Sequence, residues 1–365
     1  MPYLRFRPIA YEVPTVTHQE GHLDLPPISG WTPGPLVPAI PRLPIPALRE
    51  DVQGDAQNRL RRLAAVVDAA QARVAEIGDD GDTLKVFLVP EFYFRPPATL
   101  GADYVHGSYP VPLAMDVLNA LRVMFAHPDF SDWLFFCGTV MHNTGADLMA
   151  PPLIFNTAVS VRGGPDGPMQ LVEKQLASDI DGVPGAMMPG YDPSVHEVLQ
   201  SWPERRQHIR VEAGIPFGTE ICLDHRNSDA CRVLKGVRRD WPLHVATPQA
   251  VRIHVLTAGG MGIQPHSVAA DPGGWILRCD GMADSVRPRS EVRRIERYTR
   301  TVGGVTEILP GFSSEAQAQA EFSGPVPGNL EWQFRQLLEP ELRLAIPAGY
   351  RQHPQAMVCY PAQTL

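Results

Sequence analysis

Short apolar runs of strand length constrain this 365-residue chain more than any other feature. The runs at residues 84–89 and 133–140 are almost wholly apolar, yet both are far shorter than a membrane-spanning segment. Such runs are typical of strands that are buried on both faces of a sheet. Because helical patterns and hairpin turns lie between the runs, the sequence predicts a layered α/β sandwich with mixed strand pairing.

Helices are predicted where apolar residues recur at helical spacing. This spacing holds from Asp55 to Ile77, and Gly78 follows as a stop signal. Two further helices are predicted over residues 112–126 and in the later part of 223–240. The remaining strands are predicted over residues 3–13, 154–161, 169–174, 215–222, 243–247, 252–257, 266–270 and 275–279. Pro8 lacks a backbone N–H, which favours an edge position for the first of these strands.

The two ends of the chain differ in character from its middle. Residues 14–48 contain nine prolines, which forbid a helix and favour an extended arm. The tail after Arg287 shows no convincing strand series and predicts an amphipathic helix over 329–344. We therefore expect one domain over residues 1–286, including the arm, and a C-terminal extension over 287–365. Both segments carry too many apolar residues for free linkers, so they should pack on the sandwich or on a neighbouring subunit.

Composition limits the partners of the chain. A hydrophobic fraction of 44% is ordinary for a globular protein, and a net charge of −8 gives no basic field for nucleic acid or anionic lipid. The N-terminal residues lack the apolar core of a signal peptide, so a cytoplasmic protein is expected. An odd number of cysteines without a CxxC pair argues against a disulfide framework and a structural zinc site. They are Cys137, Cys222, Cys231, Cys279 and Cys359.

Three polar residues lie at the ends of predicted strands: Glu91, Lys174 and Cys222. Taken singly, each has a plainer structural explanation as a turn glutamate, a surface lysine or a small buried thiol. Only three of the 32 basic residues are lysines, however, and a retained lysine suggests a site that an arginine fork cannot fill. Together a thiol, a carboxylate and an ammonium are a complete set for acyl transfer.

The sequence around these residues resembles the nitrilase, or carbon–nitrogen hydrolase, superfamily. Five segments carry the resemblance in the family's order: FLVPEFYF, FCGTV with IFNTAVSV, LVEKQL, GTEICLDHR with Asp224 and Arg226 in a Cys-x-Asp-x-Arg pattern, and SVAADPGGWIL. The resemblance covers roughly residues 55–280. It implies an α-β-β-α sandwich, and superfamily members usually form homo-oligomers.

The resemblance also implies roles for the three residues. Cys222 attacks an amide carbon and forms a thioester, Glu91 is the general base, and Lys174 with the backbone N–H of Leu223 holds the oxyanion. The substrate is then a small amide, and no cofactor is implied. Three alternatives share this pattern: a nitrilase acting on a nitrile, an acyltransferase that uses an amine in place of water, and a catalytically silent binding protein.

Some positions remain open in the sequence. Asn227 stands where the family commonly has proline, and residues 222–267 lack the family's Arg-Ala-x-x-Glu-Asn helix. The second carboxylate that orients the site in many members has three candidates here, Asp179, Asp181 and Glu197. His225 beside Cys222 also allows a cysteine–histidine hydrolase, although the two should point differently on a turn. The histidines lack the helical spacing of a metal pair, so no metal is predicted.

Overall fold

Two β-sheets pack face to face in the computed structural model. The structure describes residues 3–17, 28–29, 36–49, 54–78, 81–99, 107–144, 152–178, 181, 208–226, 232–240, 250–282, 289–324, 329–345 and 354–365. The predicted strand at 243–247 lies outside these ranges. No helix in the described ranges combines the length and the apolar character that a bilayer-crossing segment requires.

The helices and strands of these ranges follow in chain order. The helices are α1 (Asp55–Ile77), α2 (Val111–Phe125) and α3 (Val233–Asp240). The strands are β1 (Arg5–Glu12), β2 (Val16–Thr17), β3 (Ile28–Ser29), β4 (Thr83–Leu88), β5 (Ala98–Thr99), β6 (Tyr109–Pro110), β7 (Trp133–Asn143), β8 (Ile154–Arg162), β9 (Met169–Glu173), β10 (Ile209–Glu212), β11 (Ile215–Ile221), β12 (Ile253–Ala258), β13 (Trp275–Asp280), β14 (Ser290–Val302), β15 (Val305–Leu309), β16 (Gln319–Phe322), β17 (Phe334–Leu337), β18 (Ala356–Cys359) and β19 (Gln363–Thr364).

The two large sheets have mixed pairing, as expected. The first has the order β17-β18-β1-β4-β7-β8-β9, with β19 on β1 and β6 on β7. The second has the order β10-β11-β12-β13-β14-β15, with β16 on β14, and β2, β3 and β5 form a small third sheet. In the first sheet β1, β4 and β7 run parallel, and in the second β11, β12 and β13 do so.

Alternation along the buried strands builds the layers. On β4, Leu84, Val86 and Leu88 face the second sheet and pack near Phe217 of β11. Phe87, between them, faces the opposite way and packs with α1 and α2. The side chains of α3 pack on the outer face of the second sheet. The order of layers is helix, sheet, sheet, helix, which confirms the expected α-β-β-α sandwich.

The prediction of an edge position for the first strand is wrong. β1 lies between β4 and β18, and Pro8 pairs in register with Val86. The carbonyl of Pro8 accepts from Tyr360 N–H at 3.0 Å, between the end of β18 and the start of β19. The missing N–H therefore falls at a break in the neighbouring strand, where a ladder bond is not needed.

The prediction of a strand at 266–270 is also wrong. Val268 and Ala270 offer their carbonyls to the hydroxyl of Tyr298, at 3.0 and 2.7 Å. Ala269 donates its N–H to His254. This segment satisfies its buried backbone groups with side chains, and no strand partner is required.

The tail differs most from expectation. Residues 290–365 supply β14 to the second sheet and β18 to the first, so the prediction that the tail lacks strands is wrong. The predicted helix over 329–344 is replaced by β17 and a short 3₁₀ turn, because Pro340 interrupts a helix and the β18 edge offers pairing. Arg62 of α1 donates to the carbonyls of Glu341 and Leu342 at 2.9 and 2.8 Å. The tail is thereby packed on the sandwich, as expected.

The Pro-rich arm is described in part, and residues 36–48 pack against α1. Val37 and Leu43 are buried, and the N–H of Val37 donates to Asn58 of α1 at 3.0 Å. Arg42 binds Asp68, which lies almost three turns beyond Asn58 on the same helix. This half of the arm therefore lies on the sandwich, as the apolar residues of the sequence predict.

Candidate active site

Cys222 begins a tight turn at the end of β11. The residues Cys222–His225 form a single 3₁₀ turn, and Cys222 has a φ of 46°. A positive φ is strained for a residue with a side chain, and such strain is found mainly where the surrounding structure enforces it. Ile221 and Cys222 pack against Ala158 and Val172 of the first sheet. The thiol therefore lies where the two sheets meet.

Glu91 lies on a turn that follows β4 and is held from three sides. Thr15 donates its hydroxyl to the Glu91 carbonyl at 2.5 Å, and the N–H of Phe92 donates to Thr139 at 2.8 Å. Gly138 of β7 lies directly beneath, and a Cβ there would come within 2.3 Å of the Pro90 carbonyl. Only glycine allows this approach, which explains the glycine of the FCGTV segment.

Lys174 follows β9, and its ammonium is fully buried among oxygens. It donates to Glu91 Oε1 at 2.9 Å, to Asp181 Oδ2 at 2.8 Å and to Ser178 Oγ at 3.2 Å. Asn156 of β8 donates to the same Glu91 oxygen at 2.8 Å and to Asp181 at 3.0 Å. One ammonium and one amide thus fix both carboxylates, which satisfies the rule that buried charges are paired.

Asp224 connects the cysteine turn to the lysine strand. Its buried carboxylate accepts from the backbone N–H groups of Gln175 and Leu176, at 3.1 and 2.9 Å. Because these residues directly follow Lys174, the bonds fix the distance between the two strand ends. The aspartate of the Cys-x-Asp segment is therefore a structural connection between the thiol and the ammonium.

Gly259, at the end of β12, adjoins both Glu91 and Cys222. A Cβ on Gly259 would lie 3.1 Å from Glu91 Oε2, and its backbone forms a hydrogen bond to the Cys222 sulfur. Glu91 Oε2 has no hydrogen-bond partner in the described part of the chain. The unoccupied oxygen of the carboxylate therefore lies beside the thiol, where it can take a proton.

The electrostatics of the cluster favour a neutral thiol beside a basic carboxylate. Burial raises the pKa of Cys222 well above its ordinary value, and the charge of Glu91 raises it further. Burial also raises the pKa of Glu91, against the opposing charge of Lys174. Burial lowers the pKa of Lys174, but the charges of Asp181 and Glu91 outweigh it and raise that pKa well above the ordinary value. The ammonium therefore keeps its charge beside a thiol and a carboxylate whose protonation states are coupled.

Arg95 stabilises the segment that carries Asp181. Its buried guanidinium donates to the Asp181 carbonyl at 2.6 Å and to the Gly107 carbonyl at 3.2 Å, and it lies 5.0 Å from the centre of the Phe92 ring. Burial lowers its pKa to about 10, so it remains a cation at neutral pH. Two cations, Arg95 and Lys174, thus accompany the two carboxylates of the cluster.

An open cleft of about 390 Å³ adjoins the cysteine turn. Leu223 and Arg226 of the turn form one side, and Met261 and Gln264 form the other. Met261 also packs beside Cys222, and its carbonyl accepts from the buried Arg278 at 3.0 Å. The cleft has apolar walls with one guanidinium and one carboxamide, which suits a small organic substrate.

The structure brings together the three residues that the sequence singles out. Of the three candidates for the second carboxylate, Asp181 forms an ion pair with Lys174. Asp179 and Glu197 lie outside the described residues. Asn156 is the residue that sequence reasoning missed, although its Asn-Thr-Ala segment was recognised. His225 points to Glu220 and Gln264, so within the described residues it is not a base for Cys222.

The comparisons with known proteins concern solved structures. No family model and no curated protein matches the chain. It is similar to an amidase from Nesterenkonia sp., with 13% identity over 88% of this chain and 92% of that one, at a TM-score of 0.36. A mutant of the Nesterenkonia AN1 amidase from the nitrilase superfamily shows 12% identity over 87% and 90%, at a TM-score of 0.37. At these values the function of this chain is argued from its own residues.

Removing the charge of Asp181 tests the ion pair of the site. Asp181→Asn is expected to lower kcat roughly 100-fold, because Lys174 shifts when one of its oxygens becomes an amide. It should also destabilise the fold by about 3 kcal/mol, since a buried ammonium loses a charged partner. Asp132→Asn, which removes the partner of Lys85 at the other end of β4, is the matched control for kinetics and denaturant unfolding. If the two variants have equal kinetics, Asp181 does not position Lys174 for catalysis.

Proposed function

We propose that this chain is a carbon–nitrogen hydrolase of the nitrilase superfamily that cleaves a non-peptide amide and releases ammonia or an amine. The observation that supports this most is the fully buried ammonium of Lys174, bonded to Glu91 at 2.9 Å and to Asp181 at 2.8 Å in the cluster that includes Cys222. Cys222 is the nucleophile, Glu91 the general base and acid, and Lys174 the oxyanion partner.

The reaction proceeds in two halves. The thiol of Cys222 gives its proton to Glu91 Oε2 while sulfur attacks the amide carbon, and the negative charge moves to the carbonyl oxygen. That oxygen takes the place of the Ser178 hydroxyl, which is the longest of the Lys174 contacts at 3.2 Å, and also accepts from the N–H of Leu223. Glu91 returns the proton to the leaving nitrogen, and the C–N bond breaks to give a thioester. Water then gives a proton to Glu91 and attacks the thioester carbon. The C–S bond breaks, Glu91 returns the proton to sulfur, and the acid leaves.

A panel of amides tests this proposal. Purified protein is incubated with primary amides, N-substituted amides and nitriles, and released ammonia or amine is measured beside Cys222→Ala. We expect amide hydrolysis that the variant lacks and that exhaustive chelation leaves unchanged, because the three groups need no metal. Hydrolysis of nitriles alone indicates a nitrilase, transfer to added hydroxylamine without hydrolysis indicates an acyltransferase, and no reaction with any probe indicates a silent member.

The pH profile reports the state of Glu91. Because burial raises the pKa of Glu91 and catalysis needs its carboxylate form, kcat/KM should fall as the pH drops through that raised value. The acid limb is then expected above the ordinary titration range of a glutamate. Its midpoint belongs to the coupled thiol and carboxylate. An acid limb at or below the ordinary glutamate value would contradict the buried base.

We also propose a cytoplasmic homo-oligomer. Cys137, Cys222, Cys279 and Cys359 are buried and form no disulfide within the described chain, which suits a reducing compartment. Closed pairing of identical sandwiches is the common form of assembly for such enzymes. Light scattering after size-exclusion chromatography gives the mass directly, and a mass of one chain across the accessible concentration range would overturn the oligomer.

A further inference from the structure

A buried cluster of three side chains lies directly behind Cys222 and has no part in the proposed reaction. Glu220 is two residues before Cys222 on β11, His225 is three residues after it, and His254 is on β12; all three are fully buried. His225 Nδ1 lies 2.6 Å from Glu220 Oε2, and His254 Nε2 faces the same oxygen at 3.0 Å. The other oxygen of Glu220 accepts from Leu234 N–H at 2.7 Å, at the start of α3.

The hydrogen bonds of the two rings fix their tautomers. His225 Nε2 accepts from the backbone N–H of Gln264 at 3.1 Å, and His254 Nδ1 accepts from that of Ala269 at 3.2 Å. A ring nitrogen that accepts from an N–H carries no proton. In each neutral ring the proton is therefore on the nitrogen that faces Glu220.

These tautomers separate the cluster from a metal site. The three facing atoms lie within 4.8 Å of one another, which is the spacing of a possible metal site. Nitrogen and oxygen ligands of one metal ion are usually about 3 Å or more apart, however, since each lies about 2 Å from the ion. His225 Nδ1 and Glu220 Oε2 are only 2.6 Å apart and share a proton. In both rings the nitrogen that faces Glu220 carries a proton, so it has no lone pair with which to bind an ion.

We propose that His225 is a positioning residue with two separate functions in the proposed hydrolase. Through Nδ1–H it binds Glu220 and joins the two ends of the strained turn at Cys222, whose φ of 46° must be held against relaxation. Through Nε2 it holds Gln264, which forms one wall of the cleft. The first bond governs the placement of the nucleophile, and the second governs the shape of the substrate cleft.

The environment of His225 favours a neutral ring. Burial lowers its pKa, against the charge of Glu220, and the neighbouring charge of Arg278 lowers it further. A second proton on the ring would point at the N–H of Gln264 and break that bond. The neutral form is therefore the one that can hold both contacts at once.

Two substitutions, each of which keeps a polar atom near the place of one ring nitrogen, separate the two hydrogen bonds of His225. The amide nitrogen of His225→Asn sits near the place of Nδ1 and can still donate to Glu220, but the side chain is too short to reach Gln264. The carbonyl oxygen of His225→Gln sits near the place of Nε2 and can still accept from Gln264, but it lacks a donor at the Nδ1 position. His127→Asn and His127→Gln are the controls. His127 caps a short turn between α2 and β7 of the first sheet, whereas His225 follows β11 of the second sheet.

The kinetics on an amide from the panel should divide accordingly. His225→Asn is expected to raise KM about tenfold with kcat within about threefold of the wild type, and His225→Gln to lower kcat about tenfold with KM within about threefold. The rate of Cys222 alkylation by iodoacetamide should follow kcat, falling in His225→Gln alone. Equal changes of kcat and KM in both variants, or changes no larger than in the His127 controls, would overturn the two-function assignment.

A spectroscopic measurement keeps this inference distinct from the proposed function. Imidazole ¹⁵N NMR of the wild-type protein should show His225 protonated at Nδ1 and His254 at Nε2, with no change on addition of zinc. The opposite tautomers, or zinc-induced shifts with stoichiometric binding, would overturn the cluster as described, whatever the enzyme does. If the tautomers are found but no amide is turned over and Cys222 resists iodoacetamide, the proposed function fails while the hydrogen-bonded cluster stands.

Discussion

Glu91→Gln is expected to lower kcat/KM by about 10³- to 10⁴-fold while the fold and substrate binding persist. The amide keeps an oxygen that can accept from Lys174 and Asn156, so the contacts at 2.9 and 2.8 Å survive. What it loses is the basic oxygen Oε2, which has no partner among the described residues and lies beside Gly259 and the thiol. Without that oxygen neither the thiol nor the water can be deprotonated.

The control for this substitution is Glu212→Gln. Glu212 is a buried carboxylate at the end of β10, opposite the first residue of β11, and it is paired with Arg210, so it matches the change in charge at a different place in the sheet. Steady-state kinetics and substrate protection against thermal unfolding are measured for both variants. A Glu91→Gln enzyme within tenfold of the wild type would mean that another group carries the proton.

Lys174→Arg is expected to lower kcat by about 10²- to 10³-fold although the charge is kept. The ammonium sits among three acceptors, Glu91, Asp181 and Ser178, with no exposed surface. A planar guanidinium is larger and donates along fixed directions, so it cannot occupy this place and also receive an oxyanion.

The chain provides a matched control in Lys235→Arg. Lys235 lies in α3, is also buried and donates to the Ala318 carbonyl at 2.9 Å. Kinetics are compared with melting temperatures, so that a loss of fold is recognised as such. If Lys174→Arg keeps near-normal kcat with an intact melting transition, Lys174 has no part in holding the oxyanion.

Much of the site could be predicted because its residues end strands. Strand length, apolar character and the residue that follows are local properties, and the structure places Glu91, Lys174 and Cys222 after β4, β9 and β11 as expected. The pairing of Asp181 with Lys174 could not be predicted from the sequence, which offers Asp179 and Glu197 as well. It depends on which carboxylate the backbone brings to the ammonium, here through the turn in which Asp181 N–H donates to the Ser178 carbonyl at 2.9 Å.

Asn156 and His225 show a second limit of the sequence. Asn156 was part of a recognised strand, but its amide acquires meaning only because Glu91 and Asp181 arrive from other strands. His225 was considered as a partner of Cys222 by proximity in the chain. Its ring instead faces Glu220 and Gln264, which come close to it only when β11, β12 and the segment after β12 are assembled.

The errors at Pro8 and in the tail share one physical cause, which is pairing between distant segments. Pro8 can lie in an interior strand because it faces the break between β18 and β19, more than 350 residues later in the chain. No ladder bond is needed from the N–H that proline lacks at that point. Residues 334–337 form a strand because β18 offers an edge.

The three lysines are a case in which the sequence argument agrees with the structure. Lys85, Lys174 and Lys235 are all buried, which agrees with the argument that retained lysines occupy specific sites.

The most direct test of the central claim is the mass of Cys222 during turnover. Enzyme quenched in acid while it hydrolyses an amide is digested, and the peptide that contains Cys222 is examined for the acyl mass of the substrate, because acid preserves a thioester. The adduct should accumulate on Cys222 in the wild type and be absent from Cys222→Ala, with Cys137, Cys279 and Cys359 unmodified as internal controls. An adduct on another cysteine, or full activity in Cys222→Ala, would contradict the assignment of the nucleophile.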